Sequence, residues 1–274
     1  ALQSVQLLSG VSEILNPSSG DDLHVGSYHP AQLKELVPKL SVERRFNDSQ
    51  RNAIFESTQR KGFSFIQGPP GTGKTRTLVG LLSLLMALQA SPILVCTPSN
   101  SAIDEVIGRM LENGLHDMTR SAADAYTKQF RVVRVGRPSE NASDSVRGVL
   151  LSELKQPIMA ARRMTPEEAE QVVLKGADIV CCTLSTSGSG AMVRANIPFK
   201  TVIIDEAAQA VELATLIPLQ HQCEQCILIG DPQQLPATVF SSMASKYLYE
   251  RSMFARFTET MASNRVLLLN TQYR

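Results

Sequence analysis

Eight residues limit what this chain can fold into more than any other feature: Gly68-Pro69-Pro70-Gly71-Thr72-Gly73-Lys74-Thr75. They satisfy the pattern G-x-x-x-x-G-K-[ST], follow an apolar run at residues 63–67, and precede a leucine-rich segment at helical spacing. The pattern needs that setting. Glycines let successive backbone N–H groups curl around a phosphate, and the following helix N-terminus adds positive potential. Lys74 then reaches the β- and γ-phosphate oxygens, Thr75 offers its hydroxyl to Mg²⁺, and Arg76 follows on the first helical turn. A Gly-rich turn without a ligand is the plain alternative, and it leaves the β-strand, loop and helix context unexplained.

The rest of the chain agrees with an α/β fold. Short apolar runs at 63–67, 93–97, 131–135, 179–183, 202–205, 227–230 and 266–269 alternate with helical segments, which predicts a parallel sheet sandwiched by helices. At 274 residues the chain makes one large α/β domain or two small ones, about 100 to 200 residues each. Only 5% of residues are aromatic and Trp is absent, so the core must be aliphatic, as runs such as 93–96 and 201–204 suggest for buried parallel β-strands. A hydrophobic fraction of 43% excludes disordered and collagen-like classes.

Two segments depart from the alternation. Leu2, Val5, Leu8, Val11 and Leu15 lie at helical spacing until Asn16-Pro17-Ser18-Ser19-Gly20 breaks it, so 1–45 reads as a helix and linker. Residues 139–176 are polar and lack a β-strand signal, and Thr165-Pro166-Glu167-Glu168 reads as a capping box with Pro at the first helical position. That stretch is expected to be a short helical insertion dividing the main domain into 46–138 and 177–274.

Further chemistry is expected at other β-strand tips. Asp205-Glu206 closes the run at 201–204, where Asp205 can hold Mg²⁺ through water and Glu206 can orient and deprotonate an attacking water. The alternative is an acidic helix start stabilised by the macrodipole. Asp231-Pro232-Gln233-Gln234 follows another run and puts Gln234 where it can sense a γ-phosphate. Asn47-Asp48-Ser49-Gln50 is either a capping box or, about 20 residues before the loop, an adenine contact through Gln50.

Charge and cysteines set outer bounds. A net charge of +1 is not that of a purely electrostatic nucleic-acid or membrane binder, so any such role must come from local motifs. The apolar stretch 78–88 is too short for a membrane span, and no signal segment opens the chain. Five cysteines, mostly in apolar runs, fit free thiols in a reducing, intracellular compartment. His221-x-Cys223-x-x-Cys226 has too few ligands for a closed zinc site, and adjacent Cys181 and Cys182 face opposite sides of one β-strand.

Taken in order, Phe46-Asn47-x-x-Gln50, the loop, Thr97-Pro98-Ser99-Asn100, Asp205-Glu206-Ala207-Ala208, Gly230-Asp231-Pro232-Gln233-Gln234-Leu235 and Gln272-Tyr273-Arg274 resemble superfamily 1 helicases. The likeness is to the group containing senataxin and the nonsense-mediated-decay helicase. The senataxin branch is closer, on Val132-Val133-Arg134-Val135-Gly136-Arg137, Ala177-Asp178-Ile179-Val180-Cys181-Cys182-Thr183-Leu184-Ser185 and Val211-Glu212-Leu213 with Ile217-Pro218-Leu219.

That resemblance implies the first RecA-like P-loop NTPase domain of an ATP- and Mg²⁺-dependent motor moving 5′ to 3′ along single-stranded RNA or DNA. It implies catalytic roles for Lys74, Asp205, Glu206, Gln234 and Arg274, with Thr75 and Asp205 toward the metal. Nucleotide contacts would be Gln50, Gly68, Pro69, Pro70, Gly71, Thr72, Gly73, Lys74, Thr75, Arg76 and Tyr273, the tyrosine stacking on adenine. Arg274 in its γ-phosphate role would be worth roughly 10³ to 10⁵ in rate. Thr97, Pro98, Ser99, Asn100, Thr183 and Ser185 would contact a single strand's phosphate backbone, though Ser99 and Asn100 also suit helix caps. Residues 1–16 resemble a stalk helix returning from an accessory barrel, and 139–176 a much reduced prong. The barrel and a second RecA-like domain are expected outside these residues, leaving the fragment alone unable to unwind. The resemblance favours a nuclear location. A P-loop ATPase acting on proteins, or a non-catalytic nucleotide-gated module, are the other readings.

Overall fold

The computed structural model describes residues 46–115, 130–260 and 266–273. The proposed stalk helix and Arg274 lie outside the described residues. Seven β-strands, β1 (Gly62–Gln67), β2 (Ile93–Thr97), β3 (Val132–Arg134), β4 (Ile179–Thr183), β5 (Thr201–Ile204), β6 (Gln225–Gly230) and β7 (Val266–Leu268), form one sheet in the order β3-β4-β2-β5-β6-β1-β7. Every pairing is parallel, so all seven carboxyl ends emerge on the same edge. This is a RecA-like α/β architecture.

The helices cover both faces. One face takes α1 (Asp48–Gln59), α2 (Lys74–Ala87) and α3 (Asn100–Asn113). Its core joins Ile66, Ile93, Val95, Ile179, Cys181 and Ile203 of the sheet to Leu78, Leu81, Leu82, Leu85, Ile103 and Ile107 of the helices. The opposite core contains Phe65, Leu94, Cys96, Val180, Cys182 and Ile204, the alternate residues of the same β-strands, as a period of two requires. Each fully buried Leu of α2 stabilises the fold by about 1.5–3 kcal/mol relative to exposure.

Beyond β3 the chain forms α4 (Asp144–Gly148), α5 (Leu151–Arg162) and α6 (Pro166–Lys175), so the expected insertion is helical. The α6 capping box is present: Thr165 Oγ1 accepts from the Glu168 N–H at 3.3 Å, and Glu168 accepts from the Thr165 N–H at 2.8 Å. Lys155 and Glu170 pair at 2.8 Å to join α5 and α6. After β4 come α7 (Leu184–Ser187) and α8 (Gly190–Ala195). Then α9 (Glu212–Leu216), α10 (Ser242–Lys246) and α11 (Met253–Thr260) follow, with Phe254 and Phe257 of α11 packed on Phe65 at centroid distances of 5.5 and 5.1 Å.

Expected and observed β-strands differ only at their ends. β3 is shorter than 131–135, although the Arg131 carbonyl and the Val135 N–H still bond to β4, and Gly136, at φ 101°, turns the chain away after it. β5 begins and ends one residue early, leaving Asp205 just past its tip. Among the described residues no helix is long and apolar enough to cross a membrane.

Candidate functional site

The loop between β1 and α2 is built from backbone. Gly71 and Gly73 adopt φ of 78° and 82°, which a side chain would strain, and a Cβ on Gly73 would lie 2.6 Å from Gln50 Nε2. Thr72 closes the loop, its hydroxyl donating to the Pro69 carbonyl at 2.7 Å. Lys74 donates to the Gly68 carbonyl at 3.0 Å, arching over the loop from the first turn of α2. No side chain caps α2, so its first N–H groups keep donors for an anion. Thr75 is half-buried beside them, while Arg76 is exposed with its guanidinium 5.8 Å from the Phe46 ring centroid. Pro69 is half-buried and Pro70 exposed on the loop's outer side.

Gln50 forms the capping box and reaches the phosphate loop as well. Its Oε1 accepts from the Asn47 N–H at 3.2 Å and Asn47 Oδ1 accepts from the Gln50 N–H at 2.8 Å, a complete capping box for α1. Its Nε2 donates to the Thr72 carbonyl at 3.1 Å, so the buried amide also braces the phosphate loop. Tyr273 joins this corner: its N–H donates to the Gly71 carbonyl at 2.9 Å and its hydroxyl accepts from Asn47 Nδ2 at 2.8 Å. The ring remains 54% exposed.

The acidic pair stands at the tip of β5. Asp205 is buried and accepts from the Glu206 N–H at 3.0 Å. Burial, and next the neighbouring Glu206 carboxylate, push the Asp205 carboxyl up to about 7, against the opposing pull of the Lys74 ammonium. That pull ties the β5 tip electrostatically to the phosphate loop. Glu206 is left-handed at φ 52°, a strained conformation for a residue with a side chain, and its carboxylate accepts from Gln209 Nε2 at 3.3 Å. On neighbouring β6, a Cβ on Gly230 would meet the Ala208 nitrogen at 3.0 Å, so a side chain there would push on the turn after Glu206. The Gly230 carbonyl accepts from the Gly68 N–H at 2.9 Å, and buried Asp231 holds Gln234 Nε2 at 3.2 Å. The sequence motif contains Gly230 and Asp231, but no role is read for either from the sequence.

The expected single-strand residues fall on the other half of the same edge. Thr97 of β2 and Thr183 of β4 are register partners. Ser99 caps α3, accepting from the Ala102 N–H at 3.2 Å, and Thr183 caps α7, accepting from the Thr186 N–H at 3.3 Å. Ser99, Asn100 and Ser185 are exposed and Pro98 half-buried. Thr97 is buried, and its hydroxyl donates to the Ser99 carbonyl at 2.8 Å, which holds this turn.

A family profile described as an AAA domain matches residues 45–164 and 149–242. Helicase sen1 of Schizosaccharomyces pombe is 32% identical over 89% of this chain and 19% of its own length. The probable helicase MAGATAMA 3 of Arabidopsis thaliana is 34% identical over 83% of this chain and 37% of its own. A regulator of nonsense transcripts 1 homolog from Neurospora crassa is 31% identical over 93% and 25%. The chain belongs to the superfamily 1 helicases of the senataxin and nonsense-mediated-decay group. It spans between about a fifth and two fifths of the length of these curated relatives.

Within this helicase fold the donors available to a metal are few. Among the described residues no three His, Cys, Asp or Glu side chains gather to hold one. The Thr75 hydroxyl and the Asp205 carboxylate are oxygen donors of the kind Mg²⁺ takes, one or two from protein with phosphates and water completing its shell. Asp205, with its carboxyl held high by burial and Glu206, is a carboxylate that a cation would relieve. His221 Nε2 lies 2.7 Å from the Ser187 carbonyl, and Cys223 Sγ donates to the Gln225 carbonyl at 3.2 Å. His221 thus ties the segment before β6 to α7, and Cys223 is hydrogen-bonded to the start of β6.

Proposed function

We propose that this chain is the first motor domain of a helicase that binds and hydrolyses ATP to move 5′ to 3′ along single-stranded RNA or DNA and unwind duplexes. One observation carries the reading: a single sheet edge holds a phosphate loop and an acidic pair on β1 and β5, and exposed capping turns on β2 and β4. Backbone N–H groups and small hydroxyls at such turns suit phosphates without reading bases.

In this mechanism the loop N–H groups and Lys74 hold the β- and γ-phosphates, and Gln50 and Tyr273 border the base. Mg²⁺, bound toward Thr75 and Asp205, supplies neutralisation of charge on the phosphate oxygens. Glu206 takes a proton from water as its oxygen bonds to the γ-phosphorus and the bond to the β–γ bridging oxygen breaks. Gln234, held by Asp231, orients that water. Arg274 is assigned to the γ-phosphate from a second RecA-like domain. Closure of two domains about ATP then drives stepping. We assign 1–45 to a stalk helix and linker beside an accessory barrel, and 139–176 to a reduced prong. A nuclear location accords with the senataxin-like relatives.

Steady-state ATPase of the protein carrying both motor domains, with and without single-stranded RNA or DNA, tests this reading. Strong stimulation by either polymer is expected. A rate indifferent to both would put a protein-directed P-loop ATPase in its place.

A further inference from the structure

Arg134 lies in the apolar run of β3 with its side chain fully buried, on the sheet half that the ATP chemistry leaves unused. A buried guanidinium persists only if its donors are met. Here its Nε donates to Asp104 Oδ1 at 2.9 Å, and its Nη1 to the Val135 carbonyl. Its Nη2 donates to Asn100 Oδ1 at 2.9 Å and to the Arg137 carbonyl at 2.8 Å. Asp104 uses its second oxygen to accept from the Ser139 N–H at 2.6 Å. Gly136, inside the turn so gripped, packs on Thr186 next to Ser185, where a Cβ would come within 3.2 Å of that side chain.

The start of α3 with exposed Asn100 and the turn 135–139 thus meet on one fork, and the turn after β4 lies against the second of them where Gly136 faces Thr186. Asp104 occupies the buried side of α3, among Ile103, Val106, Ile107 and Met110, where a carboxylate has no purpose in packing. A fold requirement alone would be met by an aliphatic pair, since apolar replacements of buried ion pairs are often neutral or stabilising. What an aliphatic pair cannot do is fix the amide of Asn100 and the carbonyl of Arg137 to one nitrogen.

We propose that the Arg134–Asp104 pair is a positioning device for the single-strand site. It sets the Asn100 amide and locks the turns 97–100 and 183–186 at one spacing, so that successive phosphates meet both. Arg134 touches no substrate and acts through Asn100 and the Gly136 turn. The inference rests on the single-strand reading above.

The test uses the protein with both motor domains, with nucleotide binding to a fluorescent ATP analogue as the measure of folded sites. Arg134→Lys keeps the charge beside Asp104 but cannot also span Asn100 and the Arg137 carbonyl. We expect the half-saturating concentration of a homopolymeric single strand to rise about tenfold or more, with strand-free ATPase rate and KM for ATP unchanged. If the lysine variant does not fold, Arg134→Gln combined with Asp104→Asn leaves no charge unpaired and is expected to show the same split. Unchanged strand affinity in a folded variant, while wild type still responds to the strand, overturns the positioning role. Equal losses in strand-free rate and strand affinity overturn it too, as they would mark a general loss of structure. A wild type that ignores the strand removes the parent reading instead.

Discussion

The two halves of the sheet edge hold their ligand groups by different means. On β5, β6 and β1 the work falls to backbone geometry: left-handed Gly71 and Gly73, strained Glu206, and Gly230 pressed against the Ala208 nitrogen. On β3, β4 and β2 it falls to side chains: Ser99 and Thr183 capping helices, and a buried guanidinium holding Asn100. A site for a small polyanion gains from N–H groups fixed at the cost of strain. A track for a moving polymer needs many modest contacts instead. Substitutions on the first half should therefore fail abruptly and on the second gradually.

The largest break is expected at Glu206→Gln, which keeps shape and loses the proposed base. Hydrolysis should fall by about 10² to 10⁴ while nucleotide affinity is retained, read by single-turnover kinetics beside a binding titration. Near-normal turnover would move the base elsewhere. Lys74→Ala, by contrast, should lose nucleotide binding along with turnover, and a normal KM and rate would remove the phosphate-loop assignment.

Asp205→Asn separates stability from chemistry on the same half. The folded carboxyl sits near 7 against an ordinary 3.8. Between those values the folded chain keeps a proton that the unfolded chain has released, so wild-type stability falls as pH rises through that window. The asparagine carries no such penalty. Without Mg²⁺ and nucleotide it should unfold at a higher temperature than wild type above pH 7, by on the order of 2 kcal/mol, the gap closing toward pH 4. Hydrolysis should be lost at every pH. A wild type equally stable at pH 5 and 8 would show that Asp205 ionises without cost.

Effects on the other half should be smaller and separable. Ser99→Ala with Asn100→Ala is expected to weaken single-strand affinity by about 1–2 kcal/mol, evenly across base sequences, through a lost cap and a lost amide. ATP affinity should not change. A change confined to one base composition would convert the backbone track into a base-reading site.

How far the sequence carried the reading follows the same division. The loop, the Asp205-Glu206 tip and β2 and β4 were legible residue for residue, since positive-φ glycines and doubly buried aliphatic runs leave marks in consecutive residues. Gln50 showed a capping box plainly but not its second bond to Thr72, 22 positions away. The Arg134–Asp104 pair was invisible for the same reason: its partners stand 30 positions apart and meet only once β3 and α3 are packed. One signal was there to use, a lone arginine within Val132-Val133-Arg134-Val135, because a charge inside an aliphatic run must find a partner.

The smallest expected effect asks whether the insertion belongs to either half. Thr165→Ala removes the hydroxyl that caps α6 and one of the two bonds to Glu168, whose carboxyl the Thr165 N–H and hydroxyl hold below its usual range. Its cost should be about 1 kcal/mol of stability, the ordinary worth of an N-cap. Glu168 favours the folded form only while ionised there, so the cap's contribution should persist at neutral pH and fade as pH falls through the carboxylate range. Since α6 is tied to α5 and α8 by Lys155–Glu170 at 2.8 Å and Arg194–Glu170 at 3.5 Å, the loss should stay within those helices. ATP turnover and strand affinity should both be unchanged. If strand affinity alone falls, loosening α6 reaches Ser139 and the Asp104 carboxylate, and the insertion joins the side-chain half as a part of the track.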